Sequence, residues 1–357
     1  MDVSPLEVAG KPSLHAAESL FTAKPPAVDV ELARRIALEH YGIAGEATKL
    51  HSERDTNFLV SAGESSFILK ITNQEEPAGV TDFQTEALLH MERSAPGLPV
   101  PHLKRTLDGK ASTFVELSTG KSAVRLLTYL NGSPLKELQR SRFPYSQIGQ
   151  VIAELGKVLE GFDHPYKKYD LVWDSSSLQN LKPLLGFVTD PALFALCEKI
   201  VADFEQRVGP RLAGLNWQVI HNDINLNNIL VSPDDGSVAG IFDFGDMVYA
   251  PRVNELAVTC TYHVAEGDLF KPRLTALVSA YNEVIPLTEG ELSALYDLIL
   301  ARFVTTILIT YWRASIFPEN RTYILRNNPT AVEGLRLLTS LGNDASHRLF
   351  RAACHLE

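Results

Sequence analysis

Apolar residues in the first third of the chain follow a helical spacing and then an alternating one. From Val28 to Tyr41 they recur at helical spacing, and Gly42 is placed to end the helix. A second helix is predicted at 81–93. Short apolar runs separated by turn residues predict five strands, at 58–61, 66–71, 100–107, 112–117 and 123–129. This pattern is typical of an antiparallel sheet that carries one main helix.

The pattern becomes mainly helical beyond Gly132. Six segments have helical periodicity: 145–162, 191–208, 252–265, 270–284, 289–317 and 328–347. Short apolar runs interrupt them at 218–220, 229–231 and 238–242. The predicted fold class is therefore α+β, with a small antiparallel β-sheet lobe over residues 27–130 and a larger, mostly helical lobe over residues 131–357. Residues 1–26 have several prolines and little periodicity, and we expect a poorly ordered arm there.

The composition is that of a globular protein. Hydrophobic residues make up 45% of the 357 residues, and charged residues make up 21%. The formal net charge of -10 argues against a nucleic-acid partner, because phosphate backbones need clustered Lys and Arg. A cationic small molecule is compatible with this charge, although the charge alone selects no substrate. Nothing in the sequence indicates an oligomeric state.

Cysteines and apolar segments argue against secretion and against a membrane partner. Cys197, Cys260 and Cys354 are far apart, so neither a disulfide framework nor a zinc site is expected. The most apolar stretch, 295–312, is interrupted by Asp297 and Arg302, and we expect a buried core helix. No secretory signal is visible. We therefore expect a cytoplasmic protein.

The segment that carries the most chemical information runs from His221 to Val231. Its polar residues have the spacing H-x-D-x-x-x-x-N, and Asp243 opens a D-F-G sequence twenty residues after Asp223. Phosphoryl transfer needs a carboxylate that accepts the proton of the attacking hydroxyl, and hard oxygen ligands for divalent metal ions. Asp223 suits the first role, and Asn228 and Asp243 suit the second. The apolar flanks predict a hairpin that brings Asp243 to the same place.

A purely structural interpretation of this segment is the alternative. Asp223, Asn225, Asn227 and Asn228 could simply be turn-forming residues, but this does not explain the paired apolar flanks or the second Asp. His221 follows a buried run, and we expect a hydrogen-bonded structural imidazole of the loop rather than the base.

A lysine within an apolar strand is the first candidate for nucleotide binding. Lys70 interrupts the run Phe67–Ile71, and Glu86 lies sixteen residues later on the second predicted helix. A kinase-like site needs a cation for the nucleotide phosphates and an acid that holds this cation. We therefore predict a Lys70–Glu86 pair. The alternative is a solvent-exposed lysine of an edge strand.

Two further segments are candidates for nucleotide contact. Asn57 lies in the turn before the first predicted strand, where it could contact phosphate together with backbone N–H groups. Thr128, Tyr129 and Leu130 lie at the end of the sheet, where a purine would meet the backbone. Arg125, in the same strand, is expected to face outward.

With these residues the chain resembles the aminoglycoside/choline phosphotransferase family of small-molecule kinases. The resemblance rests on 55–58, 67–71, 124–130, 221–230, 240–247 and 317–320. It implies a bilobal protein-kinase-like fold, Mg2+, Asp223 as the catalytic base, and Asn228 with Asp243 as metal ligands. Asn222 departs from the family, in which glycine is frequent after the histidine.

Within this family the chain most resembles the hydroxylysine kinases, which implies 5-hydroxy-L-lysine as acceptor and GTP as donor. The catalytic motif is shared by kinases of choline, ethanolamine, homoserine, sugars and antibiotics, so other hydroxylated amines or amino acids, and ATP as donor, stay open. A cationic acceptor needs carboxylates near the base. Asp246 and Glu255 are the candidates, and the alternative for each is a structural role. An inactive nucleotide-binding protein is the alternative of another class.

Overall fold

The computed structural model describes residues 23–139, 142–263 and 269–356, which form two compact units. The first unit contains the described residues up to Thr85 together with 103–129 and 164–172. The second contains 86–102, 130–163 and the described residues from Trp173 onward. The chain passes from the first unit to the second three times, after Thr85, after Tyr129 and after Val172. Most of the predicted arm over residues 1–26 lies outside the described residues.

The first unit is built on a six-stranded sheet in which every pairing is antiparallel. Its strands are β1 (Glu46–Leu50), β2 (Thr56–Ala62), β3 (Ser65–Ile71), β4 (Leu103–Lys104), β5 (Thr113–Leu117) and β6 (Gly120–Thr128). The order is β1-β2-β3-β6-β4, and β5 also pairs with β6. Phe58 lies opposite Leu69, which lies opposite Leu126. These three side chains therefore share one buried face of the sheet.

Helix α1 (Val30–Tyr41) packs on this apolar face. Its buried residues belong to the same hydrophobic cluster as the three central strands. The Asp29 side chain caps the helix by accepting the Leu32 N–H at 2.8 Å. Gly42, with φ of 68°, ends it in the left-handed conformation that glycine adopts without strain. The predicted helix is thus present and begins two residues later than expected.

Two expectations for this unit were wrong. Arg125 does not face solvent: it is buried, and its Nη2 donates to Gln84 Oε1 at 3.1 Å. Alternation of apolar and polar residues in a strand distinguishes the two faces of the sheet. It does not tell whether other parts of the protein cover the second face. Strand β1 was not predicted, because Glu46–Leu50 has only two apolar residues.

The second unit is mostly helical. Helix α2 (Ala78–Ser94) begins in the first unit and ends in the second. The remaining helices are α3 (Tyr145–Leu159), α4 (Pro191–Asp203), α5 (Gly209–Leu212), α6 (Val253–His263), α7 (Phe270–Val284), α8 (Glu289–Ile316), α9 (Arg321–Ile324), α10 (Asn328–Leu341) and α11 (Asn343–Ala353). The single helix predicted at 328–347 is two helices, because Gly342 breaks it with φ of 81°. The 3-10 turns at Ser175–Phe187 were not predicted.

Helix α8 is the central helix of this unit. It packs against α6, against α10 and against the Ser175–Phe187 turns. By length and composition α8 could cross a membrane, but 89% of its most apolar window is buried inside the protein. The core helix expected from the sequence is therefore confirmed. Arg302 lies within it and is only 1% exposed.

Five short strands of the second unit position two loops. They are β7 (Ser133–Pro134), β8 (Trp217–Ile220), β9 (Ile229–Val231), β10 (Val238–Ile241) and β11 (Val248–Pro251). Strand β8 pairs with β11, and β9 pairs with β10 and with β7, all antiparallel. The α+β class, with a sheet region first and a helical region after it, is confirmed.

Candidate active site

Two loops of the second unit lie side by side, because the strands that flank one loop pair with the strands that flank the other. The 221–228 loop joins β8 to β9, and the 242–247 loop joins β10 to β11. Ile220 pairs with Val248, and Ile229 pairs with Ile241, so each loop starts where the other ends. The Phe242 N–H also donates to the Asn228 carbonyl oxygen at 3.0 Å. The predicted hairpin therefore brings Asp243 next to Asn228.

Asp223 lies in the 221–228 loop with its two carboxylate oxygens in different surroundings. Its Oδ2 accepts from Asn225 Nδ2 and from Asn228 Nδ2, each at 2.9 Å. Its Oδ1 lies 3.6 Å from Nη2 of Arg302. Burial and the Asp246 carboxylate raise the pKa of Asp223 to about 7, against the opposing charge of Arg302. The side chain keeps 20% of its surface exposed, so a ligand can reach it.

Asn228 and Asp243 present the oxygen atoms that a divalent cation needs. Asn228 Nδ2 donates to the main-chain oxygen and to Oδ2 of Asp223, each at 2.9 Å, which turns the amide oxygen away from these contacts. Asp243 is exposed and adopts φ of 65°. Among the described residues, His, Cys, Asp and Glu nowhere form a group of three or more that could hold a metal. This pair fits Mg2+, which proteins usually bind through one or two carboxylates together with substrate phosphates and water.

The imidazole of His221 is fully buried and hydrogen-bonded through both ring nitrogens. Its Nδ1 accepts the Asp223 N–H at 3.2 Å, so Nε2 carries the proton and donates to the Phe242 carbonyl at 3.1 Å. Burial lowers the pKa of His221, although the Asp243 carboxylate opposes this. A neutral imidazole with both nitrogens engaged ties the 221–228 loop to the 242–247 loop.

The backbone of Asn222 explains its departure from glycine. Its φ is 65°, in the left-handed region, where glycine is free of strain and Asn is better tolerated than other residues. Its Nδ2 donates to the Trp173 carbonyl at 3.4 Å, and its buried Oδ1 accepts no hydrogen bond from the part of the chain that the structure describes.

Glu255 lies in the first turn of α6 and is 3% exposed. Its Oε2 accepts the His221 N–H at 2.5 Å, and its Oε1 accepts the Asn222 N–H at 3.1 Å. Burial raises the pKa of Glu255 to about 7, although these two N–H groups act in the opposite direction. These contacts favour the structural alternative for Glu255 over the predicted contact with substrate.

Asp246 ends a single 3-10 turn, Phe244–Asp246, in the 242–247 loop. It is partly exposed, and its charge influences the pKa of Asp223 and of His221. Of the two carboxylates predicted for a cationic acceptor, Asp246 is therefore the one that is partly exposed.

The first unit contains the predicted nucleotide residues other than Glu86 and Leu130. Lys70 lies on β3, and its Nζ is 3.0 Å from Oδ2 of Asp55, an acid that the sequence analysis did not consider. Burial opposes the ionisation of Asp55, but Lys70 and Arg54 outweigh it and lower the pKa of this carboxyl. Asn57 lies opposite Lys70 in the sheet, and within residues 23–139, 142–263 and 269–356 its buried Oδ1 has no hydrogen-bond partner.

The segment predicted to meet the purine lies at the C-terminal end of strand β6. Thr128 lies opposite Phe67, and Tyr129, which is exposed, donates its N–H to the Ser66 carbonyl at 3.1 Å. Leu130 and Glu86 belong to the second unit. The Lys70–Glu86 pair and the purine contact stay predictions.

Arg302 is the main residue of the site that the sequence analysis missed. It was noted only as an interruption of an apolar stretch, yet its guanidinium lies against Asp223, Trp173 and Tyr262. A cation in the middle of a buried helix was the available signal, because such a charge needs partners. Asp55 gave no comparable signal.

Comparison with known proteins identifies the class to which this fold and site belong. The model of the phosphotransferase enzyme family matches residues 46–285, and the chain therefore belongs to that family. It is 28% identical to hydroxylysine kinase of Xenopus laevis over 351 residues, covering 91% of this chain and 93% of that protein. It is 30% identical to homoserine kinase of Pseudomonas aeruginosa over 246 residues, 66% of this chain and 71% of that protein.

Solved structures with the same fold are kinases of small molecules. A microcompartment-associated aminopropanol kinase superposes with a TM-score of 0.70 at 17% identity, over 90% of this chain and 100% of that one. An amicoumacin kinase in complex with AMP-PNP and Ca2+ gives 0.63 at 13% identity, over 87% and 97%. The protein-kinase-like fold expected from the sequence is confirmed. The protein is a small-molecule phosphotransferase with a hydroxyl group as acceptor.

Proposed function

We propose that this protein transfers the γ-phosphoryl group of a nucleoside triphosphate to the hydroxyl of a small amino acid or amino alcohol, with Asp223 as the base. The observation that carries this proposal is the fixed Asp223 carboxylate: two amide groups hold Oδ2, while Oδ1 accepts no hydrogen bond from the described residues. In the reaction, Oδ1 takes the hydroxyl proton. The hydroxyl oxygen bonds to the γ-phosphorus, and the bond from this phosphorus to the β-phosphate oxygen breaks, releasing the diphosphate.

In this proposal Asn228 and Asp243 hold Mg2+, which when bound offsets the negative charge of the phosphates. The exposure of Asp243 and the Asn228 amide oxygen, which two hydrogen bonds of Nδ2 turn away from Asp223, support these roles. Lys70 binds the α/β-phosphates and is held by Glu86 once nucleotide is present. Asn57 and the backbone of Thr128–Leu130 complete the nucleotide contacts.

The first acceptor to test is 5-hydroxy-L-lysine. The coverage of the Xenopus laevis hydroxylysine kinase over nearly the whole chain supports this choice. The partly exposed carboxylate of Asp246 suits a cationic acceptor. Homoserine is the second candidate, because the Pseudomonas aeruginosa homoserine kinase shares 30% identity over two thirds of the chain. The proposed donor is GTP, with ATP as the alternative.

A panel assay of diphosphate release tests the proposal. Purified protein with Mg2+ is given hydroxylysine, homoserine, 1-amino-2-propanol, choline or kanamycin, each with GTP and with ATP. We expect the highest kcat/KM for hydroxylysine with GTP. Turnover with only one of the other acceptors would reassign the substrate, and nucleotide binding without any turnover would indicate an inactive nucleotide-binding protein.

A further inference from the structure

Arg302 is a buried cation whose contacts come from three separate segments of the second unit. Its Nη1 donates to the Trp173 carbonyl oxygen at 2.8 Å, and its Nη2 donates to the Tyr262 hydroxyl at 3.0 Å. Nη2 also lies 3.6 Å from Oδ1 of Asp223. The side chain is 1% exposed. Burial of a cation is costly, so these contacts must compensate for the water that it has lost.

Two aromatic rings fix the plane of this guanidinium. Its central carbon lies 5.5 Å from the centre of the Trp173 ring and 5.8 Å from the centre of the Tyr262 ring. These partners and the carbonyl of Trp173 are uncharged. Asp223 is the carboxylate with an ion-pair contact to Arg302, although the charges of Asp174, Asp246 and Glu255 also interact with it. Arg252 differs, because its charge is paired with the Glu291 carboxylate at 2.6 Å.

Arg302 does not use all of its hydrogen-bonding capacity. Its Nε is buried and has no hydrogen-bond partner among the described residues. The separation from Asp223 Oδ1 is also outside the usual range of a hydrogen bond. The cation is thus held close to the carboxylate without occupying the oxygen that faces it.

The two carboxylate oxygens of Asp223 have different contacts. Oδ2 is fully engaged by the amides of Asn225 and Asn228. Oδ1 faces Arg302 and has lone pairs left for an incoming donor. Rotation of the carboxylate about its Cβ–Cγ bond away from this orientation would weaken the two hydrogen bonds and the contact with Arg302 together.

We propose that Arg302 is a positioning residue that, with Trp173 and Tyr262, holds Asp223 so that Oδ1 is the oxygen that takes the acceptor's proton. This inference rests on the proposed function. Misplacement of a reacting group by about 1 Å costs on the order of 100-fold in rate. Loss of Arg302 should therefore reduce kcat, while the nucleotide, which does not touch Arg302 in this mechanism, should bind as before.

Three variants separate positioning from a merely structural role. Arg302→Met removes the charge at similar length, and Arg302→Lys keeps the charge but cannot contact Trp173 and Tyr262 as a fork. Tyr262→Phe keeps the ring and removes only the hydroxyl that holds Nη2, so it should fold even if the others do not. Arg252→Met is the matched control, because it removes another largely buried arginine of the same unit, away from Asp223.

Steady-state kinetics on folded protein, with thermal unfolding of each variant, supply the readouts. Arg302→Met should lose about 100-fold in kcat, with an unchanged KM for nucleotide. Arg302→Lys should recover part of this loss, and Tyr262→Phe should lose about fivefold. Arg252→Met should lower Tm but keep the wild-type kcat.

The outcomes that contradict the inference are distinct from failure of the proposed function. Wild-type kcat in folded Arg302→Met would overturn the inference alone, and where that variant does not fold, wild-type kcat in Tyr262→Phe would overturn it. The inference is also overturned if kcat of Arg302→Met falls only in proportion to its folded fraction. It is overturned likewise if Arg252→Met loses as much kcat as Arg302→Met. A wild-type protein without turnover on any acceptor would overturn the proposed function, and the inference with it.

Discussion

The carboxylate of Glu255 accepts the backbone N–H of His221 at 2.5 Å and thereby anchors the 221–228 loop to the first turn of helix α6. Its second oxygen accepts the next N–H, that of Asn222. Two backbone donors with no partner in a strand or helix are thus satisfied by one buried side chain. The position of Asp223 depends on this anchor, since Asp223 is the next residue of the chain.

Replacement of Glu255 should therefore affect both stability and turnover. Glu255→Ala leaves two buried N–H groups without an acceptor, and each costs about 1–3 kcal/mol of unfolding free energy. Glu255→Gln keeps one acceptor oxygen and should lose about half as much. Denaturant unfolding and kcat measure the two effects. Glu205→Gln, at an exposed ion pair with Lys182, is the control and should change stability by less than about 0.5 kcal/mol. A stable, fully active Glu255→Ala would contradict the anchoring role.

The left-handed backbone of Asn222 predicts a clear order among substitutions. Asn222→Gly should keep the loop conformation and most of the activity, since glycine adopts φ of 65° without strain. Asn222→Val should lose about 1–3 kcal/mol of stability, because a β-branched residue is strained there. Thermal unfolding and kcat of both variants provide the test. Equal stability of the two would mean that the backbone of residue 222 is not constrained as observed.

Asp223→Asn should separate proton transfer from nucleotide binding. The amide cannot accept the hydroxyl proton, so kcat should fall by about 100- to 10,000-fold while the dissociation constant of the Mg2+–nucleotide complex stays unchanged. Asp243→Ala is the complementary variant, in which nucleotide affinity should fall in the presence of Mg2+ but not with EDTA. Calorimetric titration and diphosphate release measure both quantities. Wild-type turnover in Asp223→Asn would refute its assignment as the base.

Lys70 has one acidic partner in the structure and another in the proposed nucleotide complex. Double-mutant cycles can distinguish them. The Lys70→Met and Asp55→Asn pair should be coupled in the stability of the nucleotide-free protein, by about 1.5–3 kcal/mol. The Lys70→Met and Glu86→Gln pair should be coupled in nucleotide affinity instead. If Glu86→Gln leaves nucleotide affinity unchanged, the predicted Lys70–Glu86 pair is wrong.

The ion pair of Arg252 with Glu291 predicts a loss of stability in acid. Burial opposes the ionisation of Glu291, but two hydrogen bonds from Arg252 and two from Thr288 outweigh it and lower the pKa of this carboxyl. A lowered pKa means that the folded state binds fewer protons than the unfolded state. The contribution to stability is therefore complete above the ordinary glutamate value of about 4.3 and is lost as pH falls below it.

Unfolding free energies of the wild type and of Glu291→Gln, measured from pH 7 to pH 3.5, test this prediction. The wild type should be more stable than Glu291→Gln near neutral pH. The difference between their unfolding free energies should shrink as the pH falls below about 4.3. A difference that is independent of pH would exclude the lowered pKa.

Sequence spacing determined the order and type of most long elements and the group formed by Asp223, Asn228 and Asp243. These three side chains are joined by short strands that pair locally, so their convergence follows from one hairpin and two apolar flanks. The motif also carried the class of reaction, because phosphoryl transfer requires these groups at such a spacing.

Tertiary structure alone decided which side chains surround this group. Arg302 reaches the Trp173 carbonyl across 129 positions, and Glu255 reaches His221 across 34 positions. Periodicity reports which face of an element is apolar, but not which element covers it. For this reason the sequence pattern placed Arg125 on the solvent side, although it is buried. The pattern also did not indicate Asp55 as a partner of Lys70, or the contacts of Arg302.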